Sequence, residues 1–169
     1  MTKAEPPWVS PSAVVGPNVK IGTGTKVWHF ANLIGDDEIG RDCMIGSYVQ
    51  VDPHVRIGDR TRIQPYTVLS THSLVGKDVF IGAGVVLTNA KYPPGKRLWQ
   101  TIIGDGAVLG SKIVTLPGVK IGASAVVGSG SLVAHDIPPG EVWYGNPATF
   151  RYDRPEYDRR MDEAERSAP

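Results

Sequence analysis

From Val9 onward every sixth residue is aliphatic: Val9, Val15, Ile21, Val27, Leu33, Ile39, Ile45, Val51, Ile57, Ile63, Leu69, Val75, Ile81 and Leu87. Neither the 3.6-residue period of a helix nor the alternation of an ordinary strand generates a strict period of six. A triangular coil does. Three flat hexapeptide sides make one turn, each turn pairs with the next as parallel strands about 4.8 Å away, and the aliphatic of each side fills the interior. Many of these aliphatics are followed by glycine (Gly16, Gly22, Gly40, Gly46, Gly58, Gly76, Gly82), which is expected to relieve a corner of positive φ. The position four after the aliphatic is mostly small or β-branched (Ala13, Val19, Thr25, Ala31, Val49, Val55, Thr61, Thr67, Ser73, Val79).

The rhythm stops after Leu87 and resumes at Ile103, continuing through Leu109, Thr115, Ile121, Val127 and Val133, with Thr115 its one non-aliphatic member. Leu87 and Ile103 are sixteen positions apart, so ten residues are inserted into one side of the prism. The insertion, "NAKYPPGKRLWQ", carries a Pro-Pro-Gly turn, three cations and two aromatics. A loop of this length breaking a stiff scaffold, expected over about residues 88–102, reads as a functional element. A stack of coils exposes unpaired strand edges at both ends. The prolines of "KAEPPW" and a charged helix of about three turns in "RPEYDRRMDEAERSA" are the expected caps.

With 169 residues and a net charge of +1, the chain reads as one domain without the charge that nucleic acid or a membrane surface would demand. No apolar run follows the N-terminus and none approaches a membrane-spanning length, so the cytoplasm is the expected compartment. The single Cys43 excludes an internal disulfide framework, and its small interior position assigns it to packing.

The repeat over residues 9–138 resembles the left-handed parallel β-helix of the hexapeptide acyltransferase family, and the handedness is an implication of that resemblance. "VWHFANLIG", "IQPYTVLS" and "VFIGAGVVLTNAKYPP" resemble the N-acetyltransferases that acylate nucleotide-linked 3-amino sugars. In that group a Thr-Asn followed by a Tyr-Pro turn opens the active-site loop, here Thr88, Asn89, Tyr92 and Pro93. The group commonly has an arginine directly after the proline, where this chain has Pro94-Gly95-Lys96-Arg97. The segment 139–169 begins with "PGEVWYGNPATFR", which resembles the family's Gly-Asn-Pro-Ala turn beside the coenzyme A groove. Thr149 stands where a basic residue is usual, with Arg151 the nearest cation.

The resemblance implies acetyl-CoA as co-substrate, no metal, a homotrimer with active sites between subunits, and a nucleotide-sugar acceptor for polysaccharide or glycan biosynthesis. It implies catalytic roles for Asn89 and His72, and substrate contacts from His29, Gln64, Tyr66, His54, Tyr92 and Arg97. Cofactor contacts fall to Gly84, Ala107, Ala125, Asn146, Pro147, Ala148 and Arg151. Other readings of the fold are an O- or amino-acid acyltransferase, a structural β-helix, or a zinc protein like the gamma-class carbonic anhydrases. The last use a closely spaced histidine pair that this chain lacks.

Asp36, His54 and His72 are eighteen residues apart in succession, which predicts a column with about 4.8 Å between steps. It reads first as a solvated ladder, then as a site in which one member is catalytic or touches substrate, and last as a metal site. A hydroxyl acceptor must lose its proton as it attacks a thioester, so it needs a base. A sugar amine with a pKa near about 8 is partly neutral at pH 7 and attacks unaided. For an amine, Asn89 orients the nucleophile and His72 accepts the departing proton.

Overall fold

A computed structural model, describing residues 5–167, shows a parallel β-solenoid of about eight turns. Twenty two-residue strands alternate among three sheets of nine, seven and six strands, the largest completed by two longer C-terminal strands. Successive coils pair eighteen residues apart, Val9 with Val27, Val27 with Ile45 and Ile45 with Ile63. Across the insertion the step widens, Ile81 pairing with Leu109 and Val75 with Ile103. The sixth-position aliphatics from Val27 to Val133 are buried on the prism axis.

Glycine does something other than the sequence reading expects. The glycines after the aliphatic do not carry positive φ, which falls two residues later, at Asn18, Phe30, Asp36, Tyr48, His54, Tyr66 and His72 among others. They are needed because coils touch there: a Cβ on Gly82 would lie 2.6 Å from the backbone of both Gly110 and Ser111. Asn, Asp and His tolerate the left-handed region better than most residues, which is one reason polar and ring side chains recur at the turn two residues on.

Thr115 fills its interior position for a reason. It lies fully buried beside Leu87, where the chain leaves the prism. There Thr88 donates its hydroxyl to the Thr115 carbonyl at 2.5 Å and its N–H toward Thr115 Oγ1 at 3.4 Å. Cys43 is buried, its thiol directed at the Gly58 carbonyl at 3.2 Å, and burial pushes its pKa up, in keeping with packing.

At the C-terminal end the strands Glu141–Gly145 and Ala148–Asp153 form an antiparallel hairpin on the largest sheet. The helix Arg154–Arg166 follows and buries none of its residues. Arg154 anchors it, donating to the carbonyls of Gly106 (3.4 Å) and Ser124 (3.2 Å). At the other end Glu5 accepts the Gly24 N–H at 2.8 Å. Lys3, Ala4 and Ala168, which the expected caps include, lie outside the described residues.

Candidate active site

The insertion leaves the corner between the seven- and six-stranded sheets, and its neck is closed by hydrogen bonds. It runs over residues 88–101, with Ile102 already in a strand. Buried Thr101 donates to the Thr88 carbonyl (3.4 Å), the Trp99 N–H to the Asn89 carbonyl (2.8 Å), and Gln100 Nε2 to the His72 carbonyl (2.8 Å). The loop therefore sits directly over His72. Within it Tyr92 and Trp99 meet edge to face at 6.4 Å, and the Arg97 guanidinium lies 4.9 Å from the Trp99 ring. Tyr92 and Arg97 are exposed.

Trp99 folds the loop back onto the next coil at Gly118, whose φ is +86° and whose added Cβ would lie 3.3 Å from the Trp99 side chain. Alanine there carries backbone strain of about 1–3 kcal/mol and pushes the indole off its seat. Gly118→Ala is expected to leave the solenoid folded while trypsin cuts at Lys91, Lys96 or Arg97 severalfold faster. An unchanged cleavage rate would show that Trp99 does not hold the loop.

Below the loop stands the expected column. The His54 and His72 rings stack at 5.0 Å with 7° between their planes, and Asp36 follows one coil down, accepting from Asn18 Nδ2 at 3.0 Å. Asp36, Glu38, His54, Arg56, His72, Leu74 and Gln100 line a pocket of about 400 Å³. Asn89 lies at this same corner one coil above Thr71, since Val68 pairs with Val86.

The other expected residues are on a different corner, between the nine- and seven-stranded sheets. Phe30, Tyr48 and Tyr66 stack there at 5.0 and 5.1 Å. Gln64 is two residues before Tyr66 at the same corner, and Gly84 is the next position of the column. His29 is three coils, about 14 Å, below Ala83, with Nδ1 2.7 Å from Ser10 Oγ and Trp8 and Trp28 packed around it. Tyr144 stands one coil above Gly128, on the row of Gln64 rather than of Tyr66, and leads into the hairpin turn with Asn146, Pro147 and Ala148. Arg151 lies over the Tyr144 ring at 4.5 Å and donates to its carbonyl.

Ala107 and Ala125 do not fit a cofactor surface. Both are fully buried, at the inward fourth position of their hexapeptides on the third corner, so they pack the prism and present nothing to a ligand. That corner is otherwise a row of ion pairs, Arg41 with Asp59 and Arg60 with Asp78. The Arg41 backbone N–H and guanidinium hold the Asp59 carboxyl below its usual range, and the Arg60 guanidinium does the same for Asp78. His135 is exposed, away from these groups in sequence. Among the described residues no three His, Cys, Asp or Glu side chains gather as a metal site, and no helix is long and apolar enough to cross a membrane. Gln100 and Thr101, which fix the loop, have no sequence signal beyond their place at the break in the repeat, and Thr115 is marked only as the one non-aliphatic residue of the register.

The three-sided parallel solenoid, broken by one pinned loop beside a histidine pair, is similar in two stretches to known hexapeptide-repeat patterns. The pattern of the bacterial transferase hexapeptide (six repeats) matches residues 38–71, and that of the hexapeptide repeat of succinyl-transferase matches residues 100–134. YvoF of Bacillus subtilis strain 168, an acetyltransferase by name, is 42% identical over 65 residues, 38% of this chain and 38% of that protein. The match thus spans well under half the length of this curated relative. A hexapeptide-repeat acetyltransferase of Vibrio cholerae, solved with acetyl coenzyme A, superposes with a TM-score of 0.62 at 26% identity, covering 68% of this chain and 69% of that one. A variant of perosamine N-acetyltransferase from Caulobacter crescentus, solved with CoA and GDP-perosamine, gives 0.57 at 27% identity, covering 89% and 58%.

Proposed function

We propose that the chain transfers the acetyl group of acetyl-CoA to the amino group of a nucleotide-linked amino sugar, in the cytoplasm, for polysaccharide or glycan biosynthesis. The amine nitrogen attacks the thioester carbonyl, the C–N bond forms, the C–S bond breaks, and the coenzyme leaves as a thiolate that takes up a proton. Asn89 orients the amine, and His72 receives its proton. Tyr92 and Arg97, on the exposed loop, are the residues expected to cover the sugar nucleotide.

The observation that carries this reading is the division of the expected residues between two corners of one flat face. His54, His72, Asn89 and the loop stand at one edge of the seven-stranded sheet; Gln64, Tyr66, Gly84 and the Asn146–Pro147–Ala148 turn stand at the other. The edges are separated by a six-residue side, at most about 20 Å, so neither half is a complete site. In a threefold ring with this face turned to the axis, one edge of each prism meets the opposite edge of its neighbour. The two halves then come together in three clefts. The outward residues of this face, Val14, Asn32, Gln50, Val68, Val86, Val114 and Leu132, include no charge. The strands of the other two faces carry Lys26 and Arg62, and Lys20, Glu38, Arg56 and Lys120.

Sedimentation of the purified protein is expected to give a trimer, and Val114→Glu, which places a carboxylate on that face, to shift it toward monomer with loss of transfer. A stable, active monomer would sink the shared-site reading. The activity itself is tested by offering UDP- and dTDP-linked amino sugars with acetyl-CoA and following free thiol. Acetylation of hydroxyl sugars but of no amino sugar would instead favour the O-acyltransferase alternative, for which the exposed His72 imidazole at the foot of the loop is suited.

A further inference from the structure

The aromatic column is missing a rung. Phe30, Tyr48 and Tyr66 occupy the same corner position on consecutive coils, at φ of 59°, 58° and 64°, with ring spacings of 5.0 and 5.1 Å and an angle of only 5° between the last two. The next coil puts Gly84 there, at φ +68°. The backbone repeats the ring-bearing conformation, but no side chain is present. Tyr66 is 64% exposed, and the ring face turned away from Tyr48 looks along the column toward that gap.

One coil further stands Lys112, also at positive φ, with no salt-bridge partner among the described residues. Its Cγ lies 3.6 Å from where a Gly84 Cβ would be, so its stem leans over the gap. Tyr66 and Lys112 are two coil steps apart, roughly 9–10 Å, which leaves room for one flat ring between them. The neighbouring corner residues Gly82 and Ala83 are small and leave the approach open.

We propose that the Gly84 gap binds the planar heteroaromatic ring of a nucleotide, stacked on the free face of Tyr66, with the Lys112 ammonium on a phosphate attached to it. Stacking on an exposed aromatic accepts any base, while the cation selects a phosphorylated one. The inference rests on the transferase reading only for where the nucleotide comes from. Either the acceptor's nucleotide or the adenosine of coenzyme A supplies this chemistry. Gly84 lies in the corner of the same coil that releases the loop at residue 88, so in the threefold ring a neighbour's loop covers the gap.

The discriminating variant is Gly84→Tyr, which supplies the missing rung from within. It should fold, because Tyr48 and Tyr66 hold the same conformation in the same column and the new Cβ meets only Lys112 at an ordinary contact distance. Tyr66→Ala removes the platform and Tyr66→Phe keeps it. Binding is read by calorimetry with three probes: UDP, coenzyme A, and 4′-phosphopantetheine, which lacks the adenosine. Gly84→Tyr and Tyr66→Ala are each expected to weaken one nucleotide by about tenfold to a hundredfold, with Tyr66→Phe near wild type. Loss confined to UDP assigns the gap to the acceptor; loss for coenzyme A but not 4′-phosphopantetheine assigns it to the coenzyme. Wild-type affinity for both nucleotides in a folded Gly84→Tyr protein overturns the inference. These are binding measurements, so absence of acetyl transfer would count against the proposed reaction without touching the slot.

Discussion

Alanine in place of Asn89 is expected to slow turnover by about a hundredfold, whereas alanine in place of His72 should cost less than about tenfold. The order follows from the acceptor. A neutral sugar amine needs to be held on the thioester carbonyl from the start, and its proton leaves only after the C–N bond exists, by any of several routes, including the coenzyme's own thiolate. In the proposed reaction Asn89 holds the amine; it is half-buried at the loop's base and its carbonyl is tied to the Trp99 N–H. His72 is exposed, stacked on His54 and covered only by Gln100 at its backbone. The pH profile gives a second readout. With no enzymic base, the rate rises through a pKa near about 8, set by the amine, in both wild type and the His72 variant. A thousandfold loss in His72→Ala, with a wild-type profile that turns on below the amine's range, would make the histidine a required base and the acceptor a hydroxyl.

The solenoid was legible because its period is written into the chain as single residues, each doing one job. An aliphatic every six residues has no other use, and the lost beat after Leu87 locates the loop to within one residue. The corner glycines were readable as necessary but not for the right reason, since a sequence does not display how closely the next coil's backbone approaches. For the site, the eighteen-residue spacing fixed the Asp36, His54 and His72 column. Corner identity follows from the same count, and it separates Tyr66 from His72 and turns Ala107 and Ala125 inward. What spacing alone left hidden is tertiary: that Gln100 reaches back to His72, that Trp99 rests on Gly118, and that Thr115 is the acceptor at the loop's neck.

Asp37 is the residue whose removal should tell most about stability. It occupies the inward fourth position after Leu33, fully buried, where its carboxylate accepts the Val55 N–H at 2.9 Å and the Gly35 N–H at 3.3 Å. Asp37→Ala strands both donors in the core at about 1–3 kcal/mol each, so unfolding should become easier by about 2–6 kcal/mol. That corresponds to a fall in Tm of roughly 4–24 °C for a chain of this size. Asp37→Thr should recover much of the loss, because Thr25 and Thr61 at equivalent positions already accept the N–H groups of Cys43 and Val79. The charge itself is the third comparison. Burial pushes the Asp37 carboxyl above its usual range and Asp36 adds to the rise, against the lowering pull of the Val55 and Gly35 N–H groups and of His54. The folded chain therefore keeps a proton that the unfolded chain releases near about 3.9. Stability from this source is complete below that pH and is lost as the pH climbs through the folded value. The threonine variant lacks this dependence, so denaturation from about pH 3.5 to neutrality should show it gaining on wild type as the pH rises. If wild type gains instead, the two N–H donors outweigh burial and the carboxylate is favoured in the folded state.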